Sequence, residues 1–126
     1  MKKNGTTLRV LIVDDEPLIL WGLSRFFKKI AMVKTVFTAE EAFNEIGAQH
    51  YDLCLLDVIL PEVTGLEAMK IINERSPNTK VAIMSGSFID EAMIEQIKDI
   101  AYAFIEKPFD LSYIKGVAEI TTVALN

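Results

Sequence analysis

A single cysteine, Cys54, stands in 126 residues, so no intramolecular disulfide is possible. Its place inside an apolar run reads as a packed thiol. There is one histidine, His50, and a lone histidine before a strand reads as a surface residue rather than a ligand. No Lys/Arg cluster offsets the net charge of −5, which argues against a nucleic-acid footprint for this domain, though not for a separate DNA-binding domain in a longer protein. No long apolar run exists either. The first one, Leu8 to Val13, is cut short by Asp14 and Asp15, so neither a secretion signal nor a membrane span is expected and the cytoplasm is the default location. Repeats and low-complexity segments are absent. What remains is 51% apolar residues in a length suited to one domain with one core, 1–126, with residues 1–7 as a loose polar lead.

The stretch Tyr51 to Gly65, YDLCLLDVILPEVTG, organises the rest. Leu53 to Leu56 is apolar without alternation, the pattern of a strand covered on both faces in a parallel sheet. Asp57 ends the run, and Pro61 and Gly65 mark a loop. The same grammar recurs along the chain. Strands are expected at Leu8–Val13, Val33–Phe37, Asp52–Leu56, Val81–Met84 and Ala103–Glu106. Helices are expected from Pro17, from Ala39 to about Ala48 behind a Thr38-to-Glu41 capping box, over Gly65–Arg75, over Asp90–Ile100 and over Leu111–Leu125. On the first helix Ile19, Leu23, Phe26, Phe27 and Ile30 share a stripe, with Leu20 marginal. Five βα units with short loops predict an α/β doubly wound parallel sheet with helices on both faces. Strand order is not fixed by these patterns.

Ligands of such sheets gather outside the carboxyl ends of the strands. Four of those ends carry polar groups: Asp14 and Asp15, Asp57, Ser85, and Lys107. Three carboxylates on one rim repel one another unless a cation lies between them. Hard oxygen donors suit Mg²⁺, which keeps waters and accepts phosphate oxygens. With Lys107 as a fixed positive charge, Ser85 as a donor and Gly86 leaving room, the set suits a phosphoryl group, with a carboxylate as nucleophile. A structural ion-pair network is the plainer alternative, and the matching groups at neighbouring strand ends weigh against it.

The segments VDDEP at 13–17, LLDVILPEVTG at 55–65, MSG at 84–86 and FIEKPF at 104–109 resemble the receiver domain of bacterial two-component response regulators, in the family's order over nearly the whole chain. The resemblance implies the flavodoxin-like strand order 2-1-3-4-5, an arrangement documented for a member of this family. It implies Asp57 as phosphoacceptor and Asp15, Asp57 and the carbonyl of Ile59 as Mg²⁺ ligands, with Asp14 acting through metal-bound water. Lys107 would pair with the phosphoryl group, Pro108 would follow it through a cis bond, and Ser85 and Phe104 would be the switch pair. The implied donor is a sensor histidine kinase or a histidine phosphotransfer protein. The implied role is signalling, not metabolic catalysis, with a phosphorylation-dependent homodimer as one possible use and an output domain possible beyond residue 126.

Departures from the family pattern remove no reacting group: Leu60 stands where methionine is frequent, Thr64 where aspartate is, Ile100 where glycine is, and Phe104 has no ring hydroxyl. Ile59 cannot orient an attacking water, which predicts a long-lived phosphoryl group. Trp21 and Leu18 fall off the buried stripe of the first helix, beside Arg25 and Lys28, and form a candidate docking patch for the kinase partner. An inactive receiver-like module would lack part of the acidic set. An aspartate-nucleophile phosphatase would want Asp-x-Asp on one strand, and a flavin-binding protein a Gly/Ser/Thr-rich loop where Glu16-Pro17-Leu18 stands.

Overall fold

The computed structural model describes residues 7–86, 90–107 and 111–124, with side chains through Glu119. Pro108 and Leu125, each singled out by the sequence, lie outside the described residues. Five parallel strands, β1 (Leu8–Val13), β2 (Ala31–Val36), β3 (Leu53–Asp57), β4 (Lys80–Ser85) and β5 (Ala103–Glu106), alternate with five helices. The helices are α1 (Pro17–Phe27), α2 (Ala39–Ala48), α3 (Gly65–Arg75), α4 (Glu91–Ile100) and α5 (Leu111–Ala124). The sheet order is β2-β1-β3-β4-β5.

Both faces of the sheet are covered, and the central strand shows how. All five residues of β3 are buried. Cys54 and Leu56 point into a core shared with α2, α3 and α4, through Ala42, Met69, Ile72 and Ile97. Leu53 and Leu55 point into the opposite core, with Leu23 and Phe27 of α1 and Ile114 and Val117 of α5. Alternate side chains of one strand thus anchor two layers, which is why its sequence shows no polar alternation.

The helices begin where local chemistry allows. Pro17 opens α1 at a position that needs no N–H donor. Thr38 caps α2 by accepting from the Glu41 N–H at 3.1 Å, and the Glu41 carboxylate accepts the Phe37 N–H at 3.2 Å. Thr64 and Asp90 cap α3 and α4 in the same way.

Several boundaries and one face differ from expectation: β3 runs on to Asp57, β4 is one residue longer at each end (Lys80–Ser85), and α4 starts at Glu91, with Asp90 as its cap. Leu20 is buried at 5% exposure, whereas Ile19 and Phe26 are partly buried, because Leu20, Leu23 and Phe27 form the stripe that meets the sheet. The second strand starts at Ala31 and ends at Val36, its register set by pairing Leu8 with Ala31 and Val13 with Val36. The third starts at Leu53; the Asp52 carboxylate just before it accepts the Arg9 N–H at 2.8 Å and lies 3.0 Å from His50.

Candidate functional site

The register assembles the site. Val13 lies opposite Leu56, so the residues that follow, Asp14 and Asp57, emerge side by side at the carboxyl rim. Asp57 pairs across to Met84, and the Ser85 carbonyl accepts the Lys107 N–H at 2.7 Å, which seats Lys107 on the far side of Asp57. Lys107 Nζ lies 2.6 Å from Asp14 Oδ2, 3.2 Å from Asp57 Oδ2 and 3.6 Å from Glu16 Oε1. The second Asp57 oxygen, Oδ1, accepts the Ile59 N–H at 3.2 Å. Asp14 Oδ1 accepts the Glu16 N–H at 2.9 Å.

Two glycines make this packing possible. A Cβ on Gly65 would stand 2.5 Å from both the Asp57 carbonyl oxygen and Val58 Cα, so α3 abuts the end of β3 only because residue 65 has no side chain. A Cβ on Gly86 would approach Lys107 Cβ and Cδ to 3.0 and 3.1 Å. The room left at Gly86 is therefore taken by the stem of Lys107.

Charge shapes the pocket. Burial raises the Asp57 carboxyl above its usual range, the Ile59 N–H opposes that shift, the Asp14 charge adds to it and Lys107 opposes it. Burial pulls the Lys107 ammonium down, but its bonds to Asp14 and Asp57 outweigh burial and hold it above its ordinary value of 10.5. One ammonium faces three carboxylates, of Asp14, Glu16 and Asp57, that each place an oxygen within 4.8 Å of the others. An all-oxygen donor set with excess negative charge fits a small hard cation.

The residues named from the sequence are mostly brought together. Asp14, Asp57, Ser85 and Lys107 meet at the rim; Asp14, Asp57 and Ser85 are buried, and only 10% of the Lys107 side chain is exposed. Ile59 is half exposed, held by its N–H to Asp57 and by a bridge to Thr64. Phe104 lies three residues down β5 from Lys107, partly buried against the α2–α4 core, with Lys98 Nζ 5.6 Å from its ring centre. Asp15 is exposed and is not one of the three clustered carboxylates. Glu16 is, and the motif reading passed over it. The available signal was a third acid directly before the Pro17 that starts a helix. Leu18 and Trp21 are 82% and 62% exposed, well away from the buried stripe.

Known proteins agree with this geometry. The sequence description of the response regulator receiver domain matches residues 10–119. Over 108 residues, 85% of this chain and 24% of the relative, the chain is 32% identical to the response regulator protein PilR of Pseudomonas aeruginosa. It is 34% identical over 113 residues to the nitrogen assimilation regulatory protein NtrX of Azorhizobium caulinodans, covering 87% of this chain and 25% of that one. The chain thus spans about a quarter of the length of these curated relatives. The BeF3-activated receiver domain of DrrB superposes with a TM-score of 0.78 at 28% identity, over 90% of this chain and 99% of that one. The sheet order, the acidic rim with its lysine and the sequence match together place this chain in the family of response regulator receiver domains of two-component systems.

Proposed function

We propose that this domain accepts a phosphoryl group on Asp57 from a phosphohistidine donor and passes the signal to a partner or an attached output domain. The observation that carries this reading is the Asp57 carboxylate at the rim, with Lys107 Nζ 3.2 Å away and two further carboxylates around it. The donor is a sensor histidine kinase or a histidine phosphotransfer protein, and the site of action is the cytoplasm. The similar receiver domain of DrrB is BeF3-activated.

An Asp57 carboxylate oxygen attacks phosphorus, the P–N bond to the donor imidazole breaks, and its electron pair returns to the ring. Asp57 becomes an acyl phosphate. The Ile59 N–H fixes one Asp57 oxygen, which orients the carboxylate for attack. Lys107, raised in pKa and thus charged at neutral pH, meets the incoming oxygens. Mg²⁺, held by Asp57 and by Asp14 and Asp15 of the acidic pair with the Ile59 carbonyl, would neutralise the clustered carboxylates and the oxygens of the transferred group. Ser85, buried at the end of β4, donates to the new phosphoryl oxygens. Its displacement opens space for Phe104, whose ring is held, among the described residues, by packing and Lys98. The surface of α4, β5 and α5 then shifts population, and a homodimer through that face is one output. Beyond its own phosphorylation and hydrolysis the domain catalyses nothing, and it does not itself bind nucleic acid.

Intact mass after incubation with Mg²⁺ and a small-molecule phosphodonor tests the reading. One added phosphoryl group is expected, dependent on Mg²⁺ and absent in Asp57→Asn. A folded wild type that gains none would overturn it.

A further inference from the structure

Glu16 has an unfilled role. It occupies the N-cap position of α1, where a side chain ordinarily accepts a backbone N–H, yet its carboxylate makes no such bond. It turns instead towards Lys107, and its oxygen joins those of Asp14 and Asp57 in the cluster. The three acids differ in how firmly they are engaged. Asp14 holds Lys107 at 2.6 Å with one oxygen and the Glu16 N–H at 2.9 Å with the other. Asp57 holds Lys107 at 3.2 Å and the Ile59 N–H at 3.2 Å. Among the described residues Glu16 has only the 3.6 Å approach to Lys107, and its side chain is 62% exposed. Recruiting Asp14 to a cation would break two good charge-assisted bonds, whereas recruiting Glu16 breaks a loose one.

We propose that Glu16 is a further cation-holding residue of this domain, its carboxylate joining the acidic rim that binds Mg²⁺. The family motif assigns it no such part. The inference rests on the proposed Mg²⁺ site and adds one donor from this chain. Pro17 supports it, because a residue before proline is held extended, as Glu16 is at φ −95° and ψ 111°, which fixes the Cα from which the carboxylate reaches the rim. Being largely exposed, Glu16 can be changed without disturbing the core.

Calorimetric Mg²⁺ titration of the whole chain, without phosphodonor, tests this. Glu16→Gln should bind about tenfold more weakly than wild type, the loss typical of supporting groups around a metal. Glu16→Asp should recover part of that loss. Glu62→Gln, an exposed acid in the loop after Asp57, controls for the general loss of a negative charge and should change affinity less than about twofold. Glu16→Gln within the range of the Glu62→Gln control would overturn the inference while leaving the Mg²⁺ site intact. A wild type that binds no Mg²⁺ would instead overturn the reading beneath it.

Discussion

Asp57 is held at a cost in the free protein. Burial and, after the opposing Ile59 N–H, the charge of Asp14 raise its carboxyl, so the folded state keeps that proton to higher pH than the unfolded chain does. Stability therefore falls as pH climbs from the ordinary carboxylate value through the raised one. Asp57→Asn removes the charge and should melt at a higher temperature than wild type at pH 7 in metal-free buffer, with the gap narrowing towards pH 4. Thermal melts across that range check it, and equal melting temperatures throughout would contradict the repulsion. Lys107 has the opposite sign: its contribution is complete below 10.5 and is lost only as the pH rises through its raised value. Which residues meet at the rim was readable, because Asp57 and Ser85 each end an apolar run and Lys107 directly follows the short strand that Glu106 closes. Which acid of Asp14-Asp15-Glu16 turns inward was not. That depends on how the chain leaves β1, where the Asp14 N–H donates to the Val36 carbonyl at 3.2 Å and Glu16 folds back before Pro17.

Among the elements, α3 is the one most tightly tied to the site. Its first residue, Gly65, donates its N–H to the Val58 carbonyl at 2.7 Å and leaves no space for a Cβ against the end of β3. The colliding atoms are backbone, so no side-chain rotation relieves them. Gly65→Ala should cost at least about 2 kcal/mol in denaturant unfolding, as overpacking does. A neutral result would mean that α3 can draw back without strain. Elements with their own punctuation were legible: Gly65 to Arg75, stopped by Ser76-Pro77, and the short Ala103–Glu106 strand before Lys107. The limits of β2 were not. It is an edge strand whose residues alternate between partial burial and exposure, and its limits come from pairing with β1 rather than from its own pattern.

For the molecule as a whole, the carboxyl rim and the exposed flank of α1 adjoin. Leu18 and Trp21 stand out from α1 just beyond the acidic segment, with the Arg25 guanidinium stacked 5.0 Å from the Trp21 ring centre. A partner that presents a phosphohistidine to Asp57 would lie across this flank. Leu18→Ala with Trp21→Ala should slow transfer from the cognate kinase by about tenfold or more, the scale of a lost hot-spot contact, while phosphorylation by a small-molecule donor stays unchanged. Equal transfer rates would remove the flank from the docking surface. Of the helices around the sheet, α3 sinks Leu66, Ala68, Met69 and Ile72 into the core, but α4 sinks only Ile97 fully. β3, clamped from both sides, is the stator of this device. On the function proposed above, Asp57 could not recede to make room for a phosphoryl group, so the added volume and charge would fall to the part with the shallowest root, and α4 would turn as the rotor on the single bearing of Ile97.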